Sequence, residues 1–349
     1  MNPSNDPPFA TLLDRFRRGE VPALARAISV VEDEREGFQN FLHELMARGP
    51  RARRIGFTGP PGAGKSSLLA TVASVYRARS ERLGVVAVDP TSPYSGGALL
   101  GDRIRMNDLA TDPGVFIRSM ASRGSLGGLA TTTKEVLDLM DAFGFDRILV
   151  ETVGVGQTEL EITGAADTVV VVLVPESGDA IQAMKAGLME IADLFIVNKG
   201  DRPGSARLVK EIRQAIHLRA GRTLEEVPGH HGVDLTRGAR DAVTVEPTPT
   251  DGWGVPVLTT NALTGEGVQD VIEALDAHRD WLERSGELAA RRRARSAGRV
   301  RDVVEREVRR VAWVSDAVQV RLSAGLDRIE AGEGTPYTVA NEILALLLR

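Results

Sequence analysis

Ile55-Gly56-Phe57-Thr58-Gly59-Pro60-Pro61-Gly62-Ala63-Gly64-Lys65-Ser66-Ser67 joins a short strand-like run, a glycine-rich turn and a Lys-Ser pair without a break. Gly59 to Ser66 match G-x-x-x-x-G-K-[ST] at every fixed position. Glycine lets backbone N–H groups converge on phosphate oxygens, and a helix starting directly behind the turn adds the positive end of its dipole. Ile55–Thr58 supplies the strand that must lead in, and Ser66–Arg79 the helix that must lead out. Lys65, taken as an exposed point charge, is expected on the β- and γ-phosphates of a nucleotide, and the Ser66 hydroxyl on Mg2+. The expected phosphate cradle is Gly59, Pro60, Pro61, Gly62, Ala63, Gly64, Lys65, Ser66 and Ser67.

Outward from this loop, β-branched runs recur at Val85–Val88, Ile148–Val150, Val169–Val174, Leu194–Val197 and Val257–Thr260. They alternate with helix-like stretches such as Thr132–Phe143, which predicts an α/β fold with a mostly parallel sheet covered on both faces. Upstream, Leu12, Leu13, Phe16, Leu24, Ala27, Ile28, Val31, Phe38, Phe41, Leu42 and Leu45 fall at helical spacing, broken near Gly19–Pro22. Two or three N-terminal helices are expected. Beyond Val268 the pattern is helical again and ends in the apolar run Val339–Leu348. The expected division is an N-terminal helical extension over 1–50, the phosphate-loop domain over 51–278 and a C-terminal helical region over 279–349. Residues 221–256 hold Pro228, Pro247, Pro249 and Pro256 and read as a long loop or insertion.

The 349 residues include 43 basic and 48 acidic side chains, a net charge of −5, which argues against a general nucleic-acid binder. With no cysteine, a disulfide framework, a thiolate zinc site, an iron–sulfur cluster and a cysteine nucleophile are all excluded. The apolar runs fall far short of the roughly 20 residues a membrane-spanning helix needs. Met1–Phe9 is polar and proline-rich, without an apolar signal region. A soluble, cytoplasmic chain with no membrane partner is therefore expected.

Asn198-Lys199-Gly200-Asp201 follows a buried-looking strand and spells N-K-x-D. A carboxylate there accepts from both the N1–H and the exocyclic amine of guanine, whereas adenine would leave it unpaired at a cost of about 1–3 kcal/mol. Asn198 and Lys199 are expected to brace the loop and cover the base. Asn261, Ala262 and Leu263 follow another strand and place a backbone N–H for the guanine O6. Asp89 and Glu151 sit at carboxyl ends of expected parallel strands, where this architecture gathers its ligands, and Asp102 lies in the glycine-rich segment between them. Ser66, Asp89, Asp102 and Glu151 are the expected Mg2+ set. Lys65, Glu151, Asp102 and Gln157 are the expected catalytic groups, Gln157 for positioning the attacking water or as a switch-loop or interface residue.

Gly59–Ser66, Val88–Pro93, Gly96–Asp102, Ser122–Gly128, Glu151–Gln157 and Asn198–Asp201 occur in one order along the chain. In this the chain closely resembles the MeaB/ArgK/MMAA GTPases, over roughly Ala23 to Arg293. The resemblance implies a P-loop GTPase fold with N- and C-terminal helical extensions, the latter building a homodimer. It implies Mg2+-dependent GTP hydrolysis coupled to loading and protecting an adenosylcobalamin-dependent acyl-CoA mutase, with GTP or GDP, not cobalamin, held by this chain. Glu151–Glu159 resembles switch II, and Pro175–Lys185 a further mobile loop that signals to the mutase. Asn261 stands where the family usually shows serine before Ala-Leu, and the 221–256 stretch is longer than the family leads one to expect.

Other features read more plainly. His230-His231 has no further ligand at metal-binding spacing. Arg291–Arg293, Arg295, Arg299 and Arg301 are offset by Glu283, Glu287, Asp302, Glu305 and Glu307 along a charged helix face. Arg118 and Arg123 suit a phosphate, a partner or a salt bridge equally. Trp281, Leu282, Leu288, Val300, Val303, Val304, Val308, Val311, Trp313, Val314, Val318 and Val320 exceed what a small helical hairpin buries, which favours a dimer interface over the alternative of a cover for an exposed face of the sheet. The rival functions are a GTPase metallochaperone for nickel enzymes, which wants histidine- or cysteine-rich ligands, and a P-loop kinase or transport ATPase, which wants an adenine-selective feature.

Overall fold

The computed structural model describes residues 9–47, 49–89, 107–121, 131–152, 161–175, 187–219 and 252–347. Asp102, Gln157, Arg123, His230 and His231 lie outside them, as does the side chain of Asp89. So do 90–101, 122–130, 153–160, 176–186 and 220–251, which take in most of the expected switch and mobile loops. The chain forms two compact units, Met1–Ala289 and Ala290–Arg349.

The first unit is built on seven strands: β1 (Arg53–Thr58), β2 (Leu83–Asp89), β3 (Val115–Ala121), β4 (Arg147–Glu151), β5 (Thr168–Leu173), β6 (Leu194–Asn198) and β7 (Val257–Thr260). Their order in the sheet is β3-β2-β4-β1-β5-β6-β7, and every neighbouring pair is parallel. Every residue of β4, β5 and β6 is buried, the signature of strands covered on both faces. β3 is the strand that the sequence pattern does not reveal. Its Val-Phe-Ile run breaks at Arg118 and Ser119, and as an edge strand it pairs with β2 alone. Arg118 forms an ion pair with Glu32, one of the roles its sequence position allowed.

One face of the sheet is covered by α4 (Lys65–Ala78) and the helix Val268–Arg284, which pack Leu68, Leu69, Val72, Val271 and Ile272 onto Phe57, Val170 and Val172. The other face takes the helices Thr131–Phe143 and Ser205–Arg219. Three N-terminal helices, α1 (Ala10–Arg17), α2 (Val21–Glu32) and α3 (Phe38–Met46), then pack against Thr131–Phe143. Pro22 fits the first turn of α2, where its missing N–H removes no helical bond. Leu24, Ile28 and Val31 point inward at helical spacing, and Phe16 meets Phe143 edge-on at 5.1 Å. Residues 252–256 end the long loop and are anchored: the Trp253 indole donates to the Asp193 carbonyl at 2.8 Å. Its ring lies 4.7 Å from His278 and 5.9 Å from Trp281.

The second unit holds nearly all of the helix Glu287–Val314, then Asp316–Glu330 and Pro336–Leu347. The last two close around Val318, Val339 and Ile343, with Arg328 paired to Glu342 at 2.7 Å. Of Glu287–Val314 only Ala312 is buried among the described residues. Val300, Val304, Val308 and Val311 stay exposed along it. Leu282 and Val318, counted from sequence toward an interface, are instead fully buried.

Candidate functional site

β1 ends at Thr58, and the chain turns through Gly59–Gly64 into α4 at the carboxyl edge of the sheet. Two glycines there meet a strict steric demand. Gly59 has φ +130°, and a Cβ on it would lie 2.1 Å from the Val172 carbonyl oxygen. Gly64, at φ +83°, would place a Cβ 2.4 Å from Asn198 Nδ2. Both positions lie in the left-handed range that L side chains rarely adopt, so the loop closes only with glycine.

Lys65 departs from expectation. It is buried at 5% exposure, and its Nζ donates to the carbonyls of Gly59 at 2.8 Å and Pro60 at 3.0 Å. The ammonium is folded over the loop, held by carbonyl dipoles, and is not an exposed point charge. One residue on, the Ser66 hydroxyl donates to Glu151 Oε1 at 2.7 Å. β1 and β4 are neighbours in register, Phe57 opposite Glu151, which brings the expected metal-binding hydroxyl and carboxylate together. Hydroxyl and carboxylate oxygens are the hard donors Mg2+ takes, and both are buried here. The remaining members of the expected metal and catalytic sets, Asp89, Asp102 and Gln157, are those outside the described side chains. Among the described residues no three His, Cys, Asp or Glu side chains gather into a metal cluster.

The N-K-x-D segment reaches the same loop from β6. Asn198, 2% exposed, donates to the Ala63 carbonyl at 2.9 Å. Its Oδ1 accepts from Thr260 Oγ1 at 3.2 Å and from the Ala262 N–H at 3.1 Å. Lys199 takes a left-handed φ of 58° and donates to the Gly62 carbonyl at 3.0 Å. Asp201 stays exposed, and its Oδ1 accepts from Asn261 Nδ2 at 2.9 Å. Leu263, two residues after Asn261, is 89% exposed. Phosphate loop, Asn198–Asp201 and Asn261–Leu263 thus form one hydrogen-bonded rim. Asp201 and Leu263 are exposed on it.

Threonines complete the frame, and sequence reasoning did not single them out. Thr152 Oγ1 donates to Thr58 Oγ1 at 2.9 Å, clipping the end of β4 to the start of the phosphate loop. Thr71 Oγ1 lies 3.0 Å from the carbonyls of both Ser67 and Ala262, linking α4 to the 261–263 loop. For Thr58 and Thr152 the available signal was their placement where β strands end, next to motif residues; Thr71 lies inside α4 and carries no such signal.

The chain is similar to known proteins along most of its length. The family described as methylmalonyl-CoA mutase-associated GTPase MeaB matches residues 24–317. A Pyrococcus abyssi protein named as a GTPase is 40% identical over 95% of this chain and 95% of its own. The GTPase ArgK of Escherichia coli is 34% identical over 87% of this chain and 86% of its own. A crystal structure titled LAO/AO transport system kinase superposes with a TM-score of 0.66 at 25% identity, covering 100% of both chains.

Proposed function

Because the chain belongs to the MeaB family of methylmalonyl-CoA mutase-associated GTPases, we propose that this GTPase serves an adenosylcobalamin-dependent acyl-CoA mutase in the cytoplasm, as a homodimer. It uses GTP binding and hydrolysis to gate loading and protection of the mutase cofactor. The observation that carries the nucleotide reading is the single rim joining Ala63, Asn198, Asp201 and Ala262. It aligns a phosphate cradle with a carboxylate suited to the two donor groups of guanine.

In this reading the backbone N–H groups of Gly62–Ser67 bind the phosphates, and Lys65 turns from the loop carbonyls to the β- and γ-oxygens. Ser66 and Glu151, with Asp89 and Asp102, hold Mg2+, which neutralises developing phosphate charge. Asp201 accepts from guanine, Leu263 and Lys199 cover the base, and the 261–263 amides meet O6. Gln157 and the rest of 151–159 respond to the γ-phosphate, and 175–185 carries that response to the mutase. No cobalamin site is assigned to this chain. A nickel carrier is disfavoured by a sequence with no cysteine and five histidines. A kinase would need ATP, which offers Asp201 no matching donors.

Calorimetry with Mg2+ tests the site: GTP and GDP are expected to bind at least about 100-fold tighter than ATP and ADP, a difference of roughly 2.7 kcal/mol. Equal affinities overturn the guanine assignment. For the client, GTP turnover measured with and without a purified adenosylcobalamin-dependent acyl-CoA mutase is expected to rise on complex formation. No complex by gel filtration with any nucleotide overturns that half of the proposal.

A further inference from the structure

The Asn261 side chain is held at both ends. Its Oδ1 accepts from the N–H of Leu263 at 3.1 Å and of Thr264 at 3.4 Å, while its Nδ2 donates to Asp201 Oδ1 at 2.9 Å. The backbone of Asn261 is fixed as well, its N–H on the Glu266 carbonyl at 3.0 Å and its carbonyl on the Gly265 N–H at 2.9 Å. An amide whose carbonyl oxygen is taken by two backbone donors has one way to face its neighbour, with the NH2 end. Position 201 must therefore offer an acceptor on the side of the 261–263 loop. A serine hydroxyl, free to donate or accept, would impose no such demand.

The chemistry of purines turns this polarity into selection. If O6 meets the amides of the 261–263 loop, then N1, bonded to C6, lies on the loop side, and the exocyclic group at C2 lies farther out. The Asp201 oxygen on the loop side is Oδ1, the one Asn261 holds. We propose that Asn261 is a positioning residue for base selection. It presents Oδ1 of Asp201 to the ring N1–H and leaves Oδ2 for the group at C2. This rests on the guanine reading above and adds a consequence to it. With an amide at position 201, Asn261 forces the carbonyl oxygen to the loop side and the NH2 outward. That arrangement accepts from N1–H and donates to a C2 carbonyl, which is the pattern of xanthine.

The test uses the full chain as wild type, Asn261→Ala, Asp201→Asn and the double variant. Each is titrated with GDP, XDP, ADP and pyrophosphate in the presence of Mg2+. Asn261→Ala is expected to weaken GDP by roughly 5- to 10-fold while pyrophosphate, which reads the phosphate loop alone, changes by less than about twofold. Asp201→Asn is expected to prefer XDP to GDP, and adding Asn261→Ala to cut that preference by at least about fivefold. Unchanged GDP affinity in Asn261→Ala, an equal loss of pyrophosphate, or a xanthine preference untouched in the double variant each overturns the proposal. A wild type that binds ADP as tightly as GDP removes the guanine reading and this proposal with it. Failure of the Asn261 variants beside an intact wild-type guanine preference removes the proposal alone.

Discussion

Lys65 rests its ammonium on the carbonyls of Gly59 and Pro60, and in the proposed function nucleotide entry exchanges those partners for phosphate oxygens. The exchange favours binding because a charged oxygen is a stronger acceptor than a neutral carbonyl. Part of the lysine's service is thus structural, which a reading of the motif as an exposed charge overlooks. Lys65→Ala is expected to lower GTP turnover roughly 100-fold or more, since it removes a donor aimed at developing phosphate charge. It is also expected to cost about 1–2 kcal/mol of stability from the two lost hydrogen bonds. Single-turnover kinetics and a urea melt separate the effects. Turnover at the wild-type rate would remove Gly59–Ser66 as the working phosphate site.

At the scale of elements, the question is what aligns three loops that leave different strands. Asn198 does so from the end of β6, serving Ala63 of the phosphate loop and Thr260 and Ala262 beyond β7. Asn198→Ala would leave the Ala63 carbonyl, the Thr260 hydroxyl and the Ala262 N–H without this partner. The expected loss is about 1–3 kcal/mol of stability, seen as a melting temperature lower by some 2–6 °C. GDP and pyrophosphate should both weaken, because the phosphate loop itself is released. Sparing of pyrophosphate would show that the loop keeps its shape without Asn198.

The alternation of strands and helices was legible because β4, β5 and β6 are buried on both faces and so carry apolar runs at their centres. β3 was not, because an edge strand tolerates Arg118 and Ser119 in its middle. The motif residues could be named from spacing, and their types state the chemistry. Their mutual contacts could not: Asn198 and Ala63 lie 135 positions apart, and Ser66 and Glu151 lie 85 apart. Only the register of parallel strands brings such pairs together. Asn261 shows the limit most clearly, since its pairing with Asp201 depends on which end of an amide the backbone occupies.

For the molecule as a whole, the helix Glu287–Val314 poses the energetic question. Val300, Val304, Val308 and Val311 recur at four, four and three residues, which places them along one side of a helix. They are 63%, 54%, 59% and 53% exposed in a single chain. Fully burying a valine gains about 1.5 kcal/mol or more, so a continuous stripe left to water is an unspent driving force. The homodimer proposed above makes a second copy the occupant, and a two-fold pairing would set the same stripe of each chain against the other. The double substitution Val304→Asp and Val308→Asp changes residues that bear no core packing, so each chain should fold as before. Two carboxylates per chain facing one another in a desolvated interface would cost several kcal/mol. Light scattering at micromolar concentration is expected to show the wild type at twice the chain mass and the double variant at the chain mass, with circular dichroism and GDP affinity unaltered. A variant that remains dimeric would place the interface elsewhere, and a monomeric wild type would leave the stripe for another partner.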